Sequence, residues 1–125
     1  MHDIFDAIRQ VAAAEATGRL PRAGGKRFAT MFRHGSLQVE IFAPRGRDTQ
    51  RPHDRDEIYV VVKGSGTYVN GPQRFAFRAG DLLFAAAGEP HRFEDFTEDF
   101  FTWVLFYGPV GGELAAAGKG VEPAP

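Results

Sequence analysis

Cysteine is absent from this chain of 125 residues, and its absence excludes several kinds of site at once. Without thiols there can be no disulfide framework, no thiolate-bound zinc, no iron–sulfur cluster and no cysteine nucleophile. Any metal site must therefore be built from histidine and carboxylate ligands.

Charge of one sign and long apolar runs are missing as well. The formal net charge is −1, with basic and acidic residues mixed along the chain, which is not the charge pattern that nucleic acid or anionic lipid selects. No stretch is long and apolar enough to cross a bilayer, and residues 1–6 carry no cationic region ahead of an apolar run. We therefore expect a cytoplasmic protein whose partner is a small molecule rather than nucleic acid or a membrane.

Phenylalanine is abundant, with 12 residues, and glycine and proline recur at short intervals. This composition is typical of many short strands separated by turns, which predicts an all-β fold. The segments with the composition of strands are residues 27–32, 37–42, 58–62, 66–69, 74–77, 82–85, 91–93 and 100–107.

The two ends of the chain have other patterns. Apolar residues recur at three- and four-residue steps from Asp3 to about Ala16, which predicts one amphipathic helix that ends at Gly18. The tail is rich in Gly, Ala and Pro, and we expect it to be partly disordered. The predicted organisation is a helix and connector over residues 1–25, a β-barrel over 26–107 and a tail over 108–125.

The last predicted strand, residues 100–107, is apolar on both faces. One face can line a core, and the other needs the N-terminal helix, a second sheet or a partner subunit to cover it. A homodimer is therefore predicted.

Two segments carry residues suited to metal chemistry. His53 and Glu57 flank Asp54-Arg55-Asp56, and in a straight strand they would start about 13 Å apart, at roughly 3.3 Å per residue. Asp residues favour turns, so a bend here would bring the two side chains together. His91 opens a strand after a Gly-Glu-Pro turn and would be the third ligand. Two histidines and one carboxylate leave coordination positions open for substrate, water or dioxygen, as in non-haem iron oxygenases.

Both segments resemble the two sequence motifs of the cupin superfamily, and the resemblance covers about residues 36–107. The matching positions are His53, Glu57 and Gly64 in the first motif and Gly80, Gly88 and His91 in the second. The departures are Arg51 in place of the first histidine, Ala86 in place of a proline and Asp95 in place of an asparagine.

This resemblance implies a small cupin-type barrel, a jelly-roll-like double-stranded β-helix, with one divalent transition-metal ion in its interior. Three of the four family metal ligands are retained, namely His53, Glu57 and His91. The donor set suits iron, manganese, nickel or zinc and does not choose among them. An alternative for Glu57 is an ion pair with Arg55 or Lys63. His2 and His34 are interpreted as surface or hydrogen-bonded residues.

Arg51 and Tyr59 are the candidate catalytic residues. Arg51 lies two positions from His53, so on one strand it would face the metal and could hold an anionic substrate group. The alternatives are that Arg51 turns outward or pairs with a neighbouring aspartate (Asp54, Asp56 or Asp95), and that Gln50 serves as a weak oxygen ligand. Tyr59 shares a face with Glu57 by strand alternation and either lines the pocket or packs in the core.

Phenylalanines and the tryptophan are interpreted as core residues rather than as a substrate box: Phe75, Phe77, Phe84, Phe93 and Trp103. Two functions remain open. One is a mononuclear metal-dependent enzyme, either an isomerase or an oxygenase such as a dioxygenase. Its substrate would be a small organic molecule, which is anionic if Arg51 binds it. The alternative is a non-catalytic small-molecule-binding or sensor protein; a structural or storage role ranks last.

Overall fold

The computed structural model describes residues 8–114, and its strands form two antiparallel sheets that face each other. The elements are α1 (Ala13–Thr17), a 3₁₀ turn (Ala23–Gly25), β1 (Phe28–His34), β2 (Leu37–Phe42), β3 (Asp56–Lys63), β4 (Ser65–Asn70), β5 (Gln73–Arg78), β6 (Leu82–Ala85), β7 (His91–Glu94) and β8 (Phe101–Tyr107). The larger sheet has the order β1-β2-β8-β3-β6, and the smaller has the order β5-β4-β7.

Every strand that the sequence predicts is present in this part of the chain, and β2 and β6 begin and end where the pattern places them. These two segments are bounded by glycine-containing turns, and Gly35, Gly80 and Gly88 all adopt a positive φ that suits a residue without a Cβ. The all-β fold is therefore confirmed.

The main core lies between the two sheets. It is largely aromatic and consists of Tyr59, Val61, Tyr68, Phe77, Phe93, Phe100, Val104 and Phe106. Tyr59 and Val61 face this core because alternate residues of β3 point inward, and Glu57 lies on the same face. The strand that carries Glu57 therefore delivers a carboxylate into an otherwise apolar interior.

A second cluster covers the opposite face of the larger sheet. Ala16 of α1 packs there with Met31 and Ile41, and the outward side chains Phe101 and Trp103 of β8 join them. The two apolar faces of β8 are thus covered within one chain, the inner by the main core and the outer by the N-terminal segment. Of the three covers that the sequence allows, the N-terminal segment is the one found; the homodimer stays a prediction.

The predicted N-terminal helix is wrong in its extent. Among the described residues only Ala13–Thr17 are helical, residues 8–12 are not, and residues 3–7 lie outside the described part. Val11, in this non-helical stretch, still packs against the cluster on the outer face of the larger sheet. The apolar contact expected of a helix is therefore made by a segment without regular secondary structure.

Two of the phenylalanines predicted to be core are exposed. Phe75 is 44% and Phe84 46% exposed, whereas Phe77 and Phe93 are buried and Trp103 is half-buried. Both exposed residues lie on strands at the edges of their sheets, β5 and β6, where one side of the strand has no neighbour.

The C-terminal tail is described as far as residue 114, and the rest of it lies outside the described residues. Near the end of the described part, the Glu113 backbone N–H donates a hydrogen bond to Asp56 at 2.8 Å.

Candidate metal centre

His53 and Glu57 are brought together by the bend that their spacing requires. The chain bends at Asp54 and Arg55, β3 begins at Asp56, and Glu57 follows as a buried residue of that strand. His53 Nδ1 then lies 3.0 Å from Glu57 Oε1. The predicted convergence of these two side chains is therefore seen in the structure.

The second motif is tied to the first by backbone hydrogen bonds. The Gly88 N–H donates to the His53 carbonyl at 2.8 Å, and the Ala87 N–H donates to Asp56 Oδ1 at 2.9 Å. These bonds hold the turn before β7 against the bend before β3. His91, the first residue of β7, consequently points at Glu57.

The ring of His91 is held so that one nitrogen is left for the site. Its Nδ1 lies 2.7 Å from the Glu89 carbonyl oxygen, which can only accept, so Nδ1 carries a proton. In the neutral ring Nε2 then holds a lone pair, and it lies 2.5 Å from Glu57 Oε1. This is the arrangement by which metal-binding histidines are oriented through their second nitrogen.

Two buried atoms of the site lack a hydrogen-bond partner in the described structure: His91 Nε2 and Glu57 Oε2. The short contact between His91 and Glu57 therefore brings two acceptors together without the geometry of a hydrogen bond. One ligand atom from each of His53, Glu57 and His91 lies within 4.8 Å of the others. Because buried polar atoms are normally satisfied, a cation at the centre of this triangle fits the three residues.

Burial is unequal across the three residues. Glu57 is 1% and His91 5% exposed, whereas 38% of the His53 side chain is exposed. Of the partners that the sequence offers for Glu57, Arg55 instead donates to Ser36 and Gln38. Lys63 is an exposed residue at the far end of β3. The carboxylate therefore faces the two histidines.

The protonation of Glu57 and His91 is coupled. Burial raises the pKa of Glu57, but the close contacts with His53 and His91 favour the charged carboxylate, outweigh burial and hold the pKa below its usual value. Burial lowers the pKa of His91, and the contacts with Glu57 and the Glu89 carbonyl outweigh it and raise the pKa. A proton on His91 would therefore compete with a metal ion for this site.

A cavity of about 270 Å³ opens beside His53. Its apolar walls include Phe28, Phe42, Val104 and Phe106, and its polar groups include Glu40, Gln50 and Arg51. Glu40 had no signal in the sequence, since it alternates with apolar Val39 and Ile41 as a solvent-facing residue would. The cavity is large enough for a small organic molecule, and two of the three candidate ligands, His53 and Glu57, line it.

Arg51 lies at the wall of this cavity and is exposed. Among residues 8–114 it forms no ion pair with a carboxylate. Asp56, one of its suggested partners, accepts backbone N–H groups from Ala87 and Glu113. Arg51 is thus a cation at the cavity wall that no carboxylate of the described residues neutralises through an ion pair.

Gln50 and Tyr59 are fixed by a buried network. The Tyr59 hydroxyl donates to Gln50 Oε1 at 3.1 Å, and Gln50 Nε2 donates to Asp48 Oδ2 at 2.7 Å. Both functional atoms of Gln50 thereby have partners within the protein, and its role as a weak oxygen ligand stays a prediction. Asp48, which the sequence analysis overlooked, also accepts the Phe93 N–H at 2.8 Å and so joins this loop to β7.

Tyr59 is both a core residue and part of the cavity wall. Burial raises the pKa of Tyr59 well above its usual value, and the charge of Glu57 adds to the effect. The hydroxyl therefore stays protonated near neutral pH and acts as a hydrogen-bond donor rather than as a base.

Comparison with known proteins identifies the family. The sequence profile of the cupin domain matches residues 38–106, which is more than half of the chain. The chain belongs to the cupin family. The match includes His53, Glu57 and His91, as well as Arg51 at the divergent position.

Two proteins of known sequence are similar to this chain. An uncharacterized protein of Streptomyces coelicolor is 34% identical over 84 residues, which are 66% of this chain and 80% of that protein. The HTH-type transcriptional activator RhaS of Yersinia pestis is 30% identical over 73 residues, which are 58% of this chain but 27% of RhaS. This cupin thus spans about a quarter of the length of RhaS.

Solved structures show the same fold. A protein of unknown function from Rhizobium leguminosarum superposes with a TM-score of 0.61 at 16% identity, covering 80% of this chain and 96% of that one.

Within the described residues of this cupin, no helix has both the length and the apolar character needed to span a membrane.

Proposed function

We propose that this cupin is a mononuclear metal-dependent enzyme of the oxygenase or isomerase class that acts on a small anionic organic molecule. The observation that carries the proposal is the convergence of His53, Glu57 and His91 with two unsatisfied buried atoms at their centre. Iron, manganese, nickel or zinc suits this donor set. When bound, such an ion supplies Lewis-acid or redox chemistry next to the cavity.

The protein groups have separate tasks in this proposal. His91 and Glu57, both buried, hold the ion from the side of the core, and His53 holds it from the side of the cavity. Phe42 and Phe106 exclude water from the bound molecule. Arg51 orients an anionic group of that molecule, because a guanidinium forms charge-assisted hydrogen bonds with carboxylate or phosphate.

Metal analysis tests the site. The purified protein should carry close to one transition-metal ion per chain, as isolated or after reconstitution with iron, manganese, nickel or zinc in turn. His53→Ala and His91→Ala should lower the metal content strongly. His34→Ala is the matched control, because His34 is exposed at the end of β1 and is not part of the cluster. The proposal is contradicted if the wild-type protein holds only a small fraction of one metal ion per chain after reconstitution with each of the four metals.

Turnover tests the enzyme class. Oxygen consumption should be measured with a panel of carboxylic acids and phenols, and isomerisation of anionic substrates should be followed by NMR under nitrogen. Activity that disappears in His91→Ala supports an enzyme. Saturable binding without chemical change in either assay contradicts it.

The second candidate is a cupin that senses a small molecule without converting it. The similarity to RhaS, a transcriptional activator, is the specific observation in its favour. The described residues contain one α-helix of five residues, so a sensor built from them would have to pass its signal to another protein. A ligand that binds, raises the melting temperature and is recovered unchanged is the result expected of a sensor.

A further inference from the structure

A second concavity, of about 310 Å³, lies beside the metal cavity. It is formed by the start of β1 and by the connection between β2 and β3, and its wall carries four cationic side chains: Lys26, Arg27, Arg45 and Arg47. We call it the cationic cleft. Such a concentration of positive charge is unexpected in a chain whose net charge is −1.

These four cations are not neutralised by the protein. Among residues 8–114 none of them forms an ion pair with a carboxylate. Asp48 is the acidic residue in the wall, but it is buried and its oxygens accept hydrogen bonds from Gln50 and from the Phe93 N–H. Its charge is therefore already shared among three N–H donors.

Two of the arginines are held close enough to repel each other. Arg27 donates from Nε to the Ala43 carbonyl at 2.7 Å, and Arg45 donates to the Glu98 carbonyl. Burial lowers the pKa of Arg27, and the charge of Arg45 lowers it further. An anion between the two guanidinium groups would relieve this repulsion, because each could donate to it through its planar fork.

The cationic cleft adjoins the metal cavity. Phe28, Phe42 and Gln50 line both spaces, so a molecule in one can extend past these side chains into the other. Arg51 lies at the wall of the metal cavity, next in sequence to Gln50. One elongated ligand can therefore contact the cations and the metal-binding residues together.

We propose that the cationic cleft binds the phosphate group of the small molecule whose other end occupies the metal cavity. This inference rests on the proposed function for the occupant of the metal cavity, but the cleft itself does not depend on a metal. Phosphate is favoured over a single carboxylate because it offers two negative charges and several acceptor oxygens to four cationic groups.

The first test is calorimetric titration of inorganic phosphate into the full chain at low ionic strength, as purified and again after treatment with a chelator. Binding should be tighter than that of chloride and equal in both preparations. Arg45→Gln/Arg47→Gln should raise the Kd at least tenfold, since two donors are lost. The matched control is Arg74→Gln/Arg92→Gln, which removes the same charge from the smaller sheet, where both arginines contact Glu94.

Three outcomes of this titration overturn the inference. They are phosphate binding no tighter than chloride, equal binding by wild type and the cleft variant, and equal weakening by the cleft variant and its control. Arg47→Gln alone serves if the double variant does not fold. A further experiment tests whether the protein is retained on vesicles that contain phosphatidic acid. Retention that is lost in Arg45→Gln/Arg47→Gln would show that the ligand of the cleft is a lipid headgroup, and it would overturn the small-molecule proposal.

The second test asks whether the two spaces hold one ligand. Phenyl phosphate should bind more tightly than inorganic phosphate, because its ring reaches the apolar wall that Phe28 shares between the spaces. Phe28→Ala should bring the two affinities close together, because it removes the apolar wall that the ring contacts; the residue is partly exposed, so the variant should fold. Equal affinities for the two probes would overturn the shared ligand. A protein that binds phosphate in the cleft but no metal would refute the proposed function and leave the phosphate site intact.

Discussion

Replacing His91 or His53 by alanine should remove the metal in both cases, but His91→Ala should destabilise the metal-free protein more than His53→Ala. His91 is buried, and its loss would take a hydrogen-bond donor from the Glu89 carbonyl and leave the Glu57 carboxylate with His53 as its remaining histidine contact. Leaving buried polar groups unsatisfied costs about 1–3 kcal/mol, and we expect about 2 kcal/mol for His91→Ala.

His53→Ala should behave differently because 38% of that side chain is exposed. Water can replace the ring, so the expected loss of stability is about 0.5–1 kcal/mol, close to that of an ordinary surface substitution. At roughly 3–6 °C per kcal/mol for a domain of this size, the melting temperature should fall by about 10 °C for His91→Ala and by a few degrees for His53→Ala.

The assay is differential scanning calorimetry of the chelator-treated wild type and both variants, beside elemental analysis of the same preparations. His34→Ala should match wild type in both measurements. Equal melting temperatures for the two site variants would refute the argument from burial. Normal metal content in either variant would show that its ligand assignment is wrong.

Three further predictions concern the cavity, the pH dependence and the assembly. Arg51→Ala should leave the metal content unchanged but lower the affinity for oxalate, an anionic probe, by about tenfold or more, because a hydrogen bond to a charged group contributes roughly 1.5–3 kcal/mol. Arg51→His should instead tighten metal binding. Loss of metal in Arg51→Ala would contradict the substrate role. The metal-free protein should be most stable between about pH 4.5 and 6.5. The pKa of Glu57 is lowered in the folded protein, so its carboxylate stabilises the fold fully above about pH 4.5; the pKa of His91 is raised, so its protonated ring stabilises the fold fully below about pH 6.5. Denaturant titrations across pH check this, and bound metal should move the optimum upward. Light scattering should show a homodimer that Leu82→Glu disrupts, because Leu82 is 64% exposed on the outer face of the edge strand β6; a monomeric wild type would show that the N-terminal segment covers β8 sufficiently.

Local patterns in the sequence determined the strands and the three metal-site candidates. Alternation of side chains along β3 places Glu57, Tyr59 and Val61 on one face whatever the strand packs against, since successive residues of a strand point to opposite sides. The aspartate-rich bend between His53 and Glu57 is likewise local. These features depend on neighbours in the chain, so the residues alone carry them.

The parts that the sequence left open depend on which segments meet. Whether Leu83 or Phe84 faces inward could not be read from four consecutive apolar residues, and pairing of Tyr59 with Leu83 decides it. The hydrogen bond from the Phe93 N–H to Asp48 joins residues that are 45 positions apart. The cationic cleft likewise combines Arg27, which precedes β1, with Arg45 and Arg47 of the connection between β2 and β3. Only tertiary structure could decide these features, because hydrogen bonding and charge repulsion depend on distances in space, which local periodicity does not encode.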